Sequence, residues 1–309
     1  MPAASLRRRL LLLAAVAIVP LAVMSGIALT ALLDQQREQT EQSTLDLTRA
    51  LATAVETELR LTISALQTLA ASEPLAGDRA ADIEALYRLA QRIAVARPEW
   101  RSLLLAEPSG KVLFDTPSGA GGAQPATVEP ESFAAVLRTR APVIGSLMHG
   151  RLDQAGVPVR VPVMAGAELR YVLTAVVKPD AIVAVIDRQR VPADWIVSVF
   201  DAKNVHIAHS RNQGQFLGAR ASPSLQALQA RAGDEAIGST TTLEGGRVNS
   251  AMTRIRSSGW SVAMGVPSSP LPRACARSAR PRSSRAGARS ARWPHCRRSP
   301  AAGSATKTP

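Results

Sequence analysis

From Leu10 to Leu33 the chain runs for 24 residues without a charged side chain, LLLLAAVAIVPLAVMSGIALTALL. At about 1.5 Å per residue such a helix is about 36 Å long, enough to cross a hydrocarbon core of ~30 Å. The pattern predicts a transmembrane helix over 10–33, with Pro20 at a position a bilayer helix tolerates. A cleaved secretory signal has a shorter apolar region and an A-x-A-like site, so the stretch reads as an uncleaved anchor. Beyond it the period changes. Residues 34–75 contain no Gly, and no Pro before Pro74, and Leu47, Leu51, Val55, Leu59, Ile63, Leu66 and Ala70 recur every three or four positions. That spacing predicts an amphipathic stalk helix with one apolar stripe. Asp78 is placed to cap a second helix through Ala81, Ile83, Leu86, Leu89 and Ile93, ending before Pro98.

From Trp100 the period becomes two. RSLLLAE, the turn PSG and KVLFDT are followed by a Gly/Pro-rich loop, a helix ESFAAVLRTR, and the strands PVIGSLM, PVRVPVM and LRYVLTAVV. A helix PDAIVAVIDRQ intervenes, and the order then recurs: DWIVSVFD, turn AKN, VHIAHS, helix SPSLQALQA, GSTTTLE, turn GG, RVNSAMTRI and GWSVAMGVP. PEWRSLLLAEPSGKVLFDT and ADWIVSVFDAKNVHIAHS each place a Trp before an apolar strand, an acid, a short turn and a returning strand. The order repeats although the residues do not. Two tandem PAS-like antiparallel-sheet modules on one long helix are the simplest α+β architecture that satisfies it.

Charge sharpens this division. The chain has 309 residues, 37 Lys and Arg against 24 Asp and Glu, and a net charge of +13. Three of the basic residues are Arg7, Arg8 and Arg9, just before the apolar stretch, and ten lie in residues 271–309, which hold no acid. The body between them is therefore neutral, unlike a nucleic-acid-binding face, and no nucleic-acid partner is expected. The arginines before the span, against Arg37 alone in the flank after it, place residues 1–9 in the cytoplasm and the body outside by the positive-inside rule. Cys275 and Cys296 also lie in the basic tail, so the body can build no disulfide, CxxC metal site or thiol nucleophile.

The order of anchor, stalk and paired modules resembles the double Cache (PDC) sensor region of bacterial transmembrane receptors. ELRLTISALQTLA, PEWRSLLLAEPSGKVLFDT, LRYVLTAVVKPDAIVAVI, DWIVSVFDAKNVHIAHS, GQFLGARASPSL and SGWSVAMGVPSSPL each resemble segments of sensor histidine kinases, over about residues 10–270. The resemblance implies a cytoplasmic N-terminus at 1–9, a transmembrane helix at 10–33, a stalk at 34–75, a membrane-distal module at 76–180 and a membrane-proximal module at 181–270. It implies a single-pass protein of the bacterial inner membrane with its body in the periplasm, a small periplasmic ligand and a homodimer through the stalk. The implied parent is a two-component histidine kinase; diguanylate cyclases and chemoreceptors use similar input regions. The rival from another class is an anchored periplasmic interaction or structural protein.

No phosphoacceptor-His box, nucleotide-binding box, GGDEF-type motif or GxSxG elbow is present in the sequence, so the chain itself is not expected to be an enzyme, and no cofactor is expected. Residues 271–309, nine Arg and one Lys among Ala, Pro, Gly and Ser, have no apolar run to fold or to span a membrane. They are expected to be disordered. Their abrupt start, where a second span is expected, reads as truncation or out-of-frame translation; the alternative is a basic arm for phosphates.

Ligand-reading residues are sought among those that break the apolar strands. Arg160, Arg170 and Tyr171 are expected to converge on the concave face of the distal module, where paired donors hold a carboxylate. Asp115 and Asp180 are further candidates. The Arg-x-Trp-Tyr pattern of amino-acid-binding Cache domains is absent from the sequence. His206 and His209, three apart on one strand, are expected on opposite faces and so unable to share a metal ion. With fewer polar groups, the proximal module is expected to be a relay.

Overall fold

The computed structural model describes residues 3–72, 75, 83–120, 129–150, 154–231 and 233–267; the side chains of residues 1–23, and of a few others in these ranges, are not described. The expected cap at Asp78 and the basic tail lie outside these residues. One helix, α1, runs from Ala3 to Ala70. Among its described residues the buried ones are Thr44, Thr48, Leu51, Ala52, Val55, Leu59, Thr62, Leu66 and Ala70. They follow the expected helical period but enter it through threonines, while Leu47 is 39% exposed. The threonines are tolerated because Thr44 and Thr48 donate their hydroxyls to the carbonyls of Thr40 and Thr44, each at 2.7 Å. Each fully buried leucine contributes about 1.5–3 kcal/mol. Among the described residues no helix is long and apolar enough to cross a membrane.

The first module holds α2 (Ile83–Ala96), β1 (Trp100–Ala106), β2 (Val112–Asp115), β3 (Gly119–Ala120), α3 (Pro130–Thr139), β4 (Val143–Ile144), β5 (Met148–His149), β6 (Ala155–Ala165) and β7 (Glu168–Val177). Its sheet has the order β3-β2-β1-β7-β6-β4, with β5 also paired to β6. The predicted strand PVIGSLM is thus two short strands on either side of Gly145. Helix α4 (Pro179–Arg188) leads to the second module: β8 (Ile196–Phe200), β9 (His206–His209), the short α5 (Gln213–Phe216), α6 (Pro223–Arg231), β10 (Glu235–Thr241), β11 (Arg247–Arg254) and β12 (Ser261–Pro267). Its order is β10-β11-β12-β8-β9. Leaving aside the short β3 and β5, both sheets follow the order second, first, fifth, fourth, third, all antiparallel. The repeated order of elements in the sequence is a repeated topology in space.

Strand alternation sorts each sheet into two faces. Val157, Val159, Val161, Val163, Leu173 and Ala175 of the first sheet and Val197, Val199, Ile207, Val262 and Met264 of the second join the α1 leucines in one buried cluster. Both inner faces therefore pack around the same helix, which contacts β6, β7, β11 and β12. The outer faces carry most of the buried polar side chains.

Candidate ligand-binding site

On the outer face of the first sheet the strand register sets Asp115, Leu104, Thr174, Arg160 and Val143 in one row across β2, β1, β7, β6 and β4. Helix α3 covers one end, burying Phe133 and Val136 against Ala106, Val112 and Val172. Under its first turn lies Arg160, 1% exposed. Its Nε donates to Ser132 Oγ at 2.7 Å, one terminal nitrogen to Thr174 Oγ1 at 3.2 Å and the other to the Glu129 carbonyl at 3.1 Å. The Glu129 carboxylate is 3.9 Å from the guanidinium. Burial pulls the Arg160 pKa down to about 10, with the Glu129 charge opposing, so the group remains a cation at neutral pH.

Local sequence explains this end of α3. Glu129 is the N-cap, with φ at 61°, and accepts from the Ser132 backbone N–H; Pro130 follows, where its missing N–H costs nothing. Ser132 Oγ also donates to the Glu129 carboxylate. Gly145, in the segment between β4 and β5, is held to glycine by its surroundings: a Cβ there would lie 2.7 Å from Pro158 Cγ and 2.8 Å from Glu129 Oε2. The Gly145 carbonyl in turn accepts from Trp260 Nε1 of the second module at 3.4 Å. Two residues on, the Leu147 N–H donates to Asp201 Oδ2 at 3.1 Å, and Asp201 Oδ1 accepts from the N–H groups of Lys203 and Val205. Lys203 Nζ also pairs with Glu131 Oε2 at 2.6 Å. Contacts buried at Arg160 and Trp260, and an exposed ion pair between Glu131 and Lys203, thus connect Arg160 and the α3 N-terminus to the second module.

The outer face of the second sheet holds a partly open cavity of about 50 Å³ whose lining includes His206 and His209. The two rings lie on the same face, 5.8 Å apart, contrary to the expectation that three residues along a strand place them on opposite faces. The cause is a β-bulge. The pairing shifts between Val199 and Phe200, so Ile207 and Ala208 both turn inward and the histidines both turn outward. Burial lowers the His206 pKa; burial and the neighbouring His206 hold His209 down to about 4, with Glu244 opposing and Arg211 assisting.

Both imidazoles are therefore neutral in the native state at pH 7, whereas in the unfolded chain they protonate near pH 6.5. The unfolded state then binds more protons between these values. Their contribution to stability is complete above about pH 6.5 and falls away below it, that of His209 being lost as the pH falls toward about 4. Urea denaturation at about pH 7.5 and about pH 5 is expected to show this loss, and a smaller one for His209→Phe. Equal losses in the two proteins would assign the acid sensitivity to the carboxylates alone.

No family model matches the sequence, and no curated relative matches it. Solved structures do match the fold. The ligand-binding domain of the Pseudomonas aeruginosa amino acid chemoreceptor PctB, in complex with L-Arg, has a TM-score of 0.60 at 12% identity, covering 75% of this chain and 96% of that one. The corresponding domain of the Campylobacter jejuni chemoreceptor Tlp3, in complex with L-norvaline, has a TM-score of 0.59 at 14% identity, covering 76% and 94%. The extracellular domain of a protein assigned as a histidine kinase has a TM-score of 0.59 at 11% identity, covering 74% and 95%. The body shares its fold with these ligand-binding and extracellular domains.

Within this fold the five sequence candidates do not meet at one surface. Arg160 and Asp115 share the outer face of the first sheet, at opposite ends of one row, and Asp115 Oδ2 accepts from Ser118 Oγ at 3.1 Å. Tyr171 pairs with Val163, so it points to the inner face and packs against the core around α1. The expected convergence of Arg160, Arg170 and Tyr171 fails for that reason. Arg170 is half-buried beside a register shift between Val163 and Met164, and Asp180 is exposed in the first turn of α4. Sequence reasoning missed Glu129 and Ser132, although the E-P-E-S run is a readable helix start. It also underrated the second module, whose polar groups converge only after folding.

Proposed function

We propose that this chain is the extracytoplasmic ligand-sensing input region of a transmembrane receptor, of the sensor histidine kinase class. The observation that carries the reading is the single helix α1, which packs against both sheets and continues backwards into the uncharged stretch 10–33. Any shift of one module against α1 is a shift of the segment that enters the membrane. In this reading residues 10–33 anchor the protein as a single pass in the inner membrane with the body in the periplasm. The anchor rests on the apolar sequence and on Arg7, Arg8 and Arg9. Two copies associate through α1.

A small polar ligand binds the outer face of the first sheet, in the row between Asp115 and Arg160, with Arg170 as a further contact. Because Arg160 already holds Ser132, Thr174 and Glu129, a ligand there acts by drawing on that cluster and moving the α3 N-terminus. The displacement passes through Gly145 and Leu147 to Trp260 and Asp201 of the second module. The coupling is bounded by the ligand's differential affinity for the two arrangements. The chemoreceptor domains of like fold are seen with L-Arg and L-norvaline; because this sequence lacks the Arg-x-Trp-Tyr pattern, short carboxylates are candidate ligands beside amino acids.

Two measurements test the proposal. A periplasm-dependent reporter fused after residue 70 is expected to be active, and activity only of a cytoplasmic reporter there overturns the topology. A panel of amino acids and short mono- and dicarboxylates is expected to contain a compound that raises the melting temperature of the chain. Asp115→Ala and Arg170→Ala should remove that rise while leaving the unliganded melt nearly unchanged. A full response in both variants would place the ligand elsewhere.

A further inference from the structure

The cavity in the second module has a chemistry of its own. His206 is 4% and His209 7% exposed, and both line it. His206 Nδ1 lies 3.0 Å from the Ala219 carbonyl, which can only accept, so that nitrogen carries the proton. Its Nε2 is then a bare lone pair. His209 is the reverse: Nδ1 accepts from the backbone N–H groups of Arg211 at 3.3 Å and Asn212 at 3.2 Å. Its proton must therefore sit on Nε2. Neither Nε2 makes a hydrogen bond to the described residues. The cavity thus offers one acceptor and one donor side by side, each on a ring locked by the backbone.

Phe200 and Phe216 pack on the same rings, at centroid distances of 4.3 Å and 4.7 Å from His206 and His209 respectively, and supply an apolar wall. A water needs about 10–15 Å³ of such space, so the cavity admits a molecule of about three to five non-hydrogen atoms. We propose that it is a ligand site for a small uncharged molecule bearing a carboxamide-type group, whose N–H donates to His206 Nε2 and whose carbonyl accepts from His209 Nε2–H. A carboxylate fits less well: it has no proton for the His206 lone pair, and Glu244 also lines the cavity. A metal ion finds only one free imidazole lone pair, and no group of three or more His, Cys, Asp or Glu suited to a metal occurs among the described residues. The site adjoins the inter-module link, because Phe200, packed against His206 with the rings tilted by 55°, precedes Asp201. It does not depend on a ligand at the first module.

The test uses the full chain in detergent micelles, histidine-labelled with ¹⁵N, and propionamide as the probe. Nitrogen shifts are expected to show the Nδ1–H tautomer for His206 and the Nε2–H tautomer for His209. Propionamide should shift both resonances saturably and raise the melting temperature. Ala263→Leu fills the cavity without altering either histidine and should weaken binding about tenfold or more; His206→Phe, which deletes the acceptor, should do the same. Four outcomes would overturn the proposal: no saturable shift, an equal response to propionate at the same pH, undiminished binding in both variants, or stabilisation by Ni²⁺ or Zn²⁺ that requires His206. A propionamide response lost in Ala263→Leu and His206→Phe but kept in Asp115→Ala and Arg170→Ala separates this site from the one proposed above.

Discussion

Replacement of Arg160 by Met is expected to destabilise the body by about 3–5 kcal/mol, the largest loss among the buried polar positions. The side chain is 1% exposed and Glu129 retains only 9% side-chain exposure. Removing the guanidinium leaves the Glu129 carboxylate buried beside Ser132 with only the more distant, half-exposed Lys203 as a cation. Desolvation then dominates, since the Coulombic partner that offset it is gone. The double variant Arg160→Met with Glu129→Gln is expected to recover much of the loss, because no uncompensated charge remains. Denaturant unfolding of the two variants and the parent measures both numbers. A loss below about 1 kcal/mol for Arg160→Met would mean that water reaches the cluster and that the guanidinium acts as an exposed group.

Trp260→Ala is expected to cost a similar ~3–5 kcal/mol, for a different reason. The indole is fully buried in the cluster around α1, and its Nε1–H reaches the Gly145 carbonyl of the first module. Truncation opens a cavity and also leaves that carbonyl without its donor. Trp260→Phe separates the two contributions: it keeps much of the ring volume and loses only the hydrogen bond, at about 0.5–1.5 kcal/mol plus the smaller void. The functional consequence is the sharper test. If Gly145 and Trp260 carry displacement between the modules, Trp260→Phe should leave a ligand's affinity for the first module nearly intact while reducing its effect on output in a receptor carrying this body. Equal signalling in parent and variant would route the coupling through α1 instead.

Most of the architecture was legible in the residues because it rests on local rules. The change of period from helical to alternating at Trp100 marks the passage from helix to sheet, and the second Trp-started strand marks the repeat. The turns PSG, AKN and GG fall where Gly110, Asn204 and Gly245 adopt positive φ, a preference visible in the residue types themselves. The site was less legible. Glu129 and Ser132 lie some 30 residues from Arg160, and nothing in their spacing announces that they will meet across a helix and a strand.

Tertiary structure alone decided which side chains share a face. A strand's alternation is strict only while its register holds, and one extra residue reverses every side chain beyond it. That reversal brings His206 and His209 together over Phe216 and gives the second module, expected to be a relay, a small cavity lined by both rings. The same dependence on register sends Tyr171 inward to α1 while Arg160, on the paired strand, faces outward under α3. The sequence by itself determined the uncharged stretch, the helical stripe and the twice-repeated order of strands, since each follows from neighbours within one or two turns. The faces, the bulge and the buried cation's partners depend on pairings between distant segments, whose energies exist only once both strands are in place.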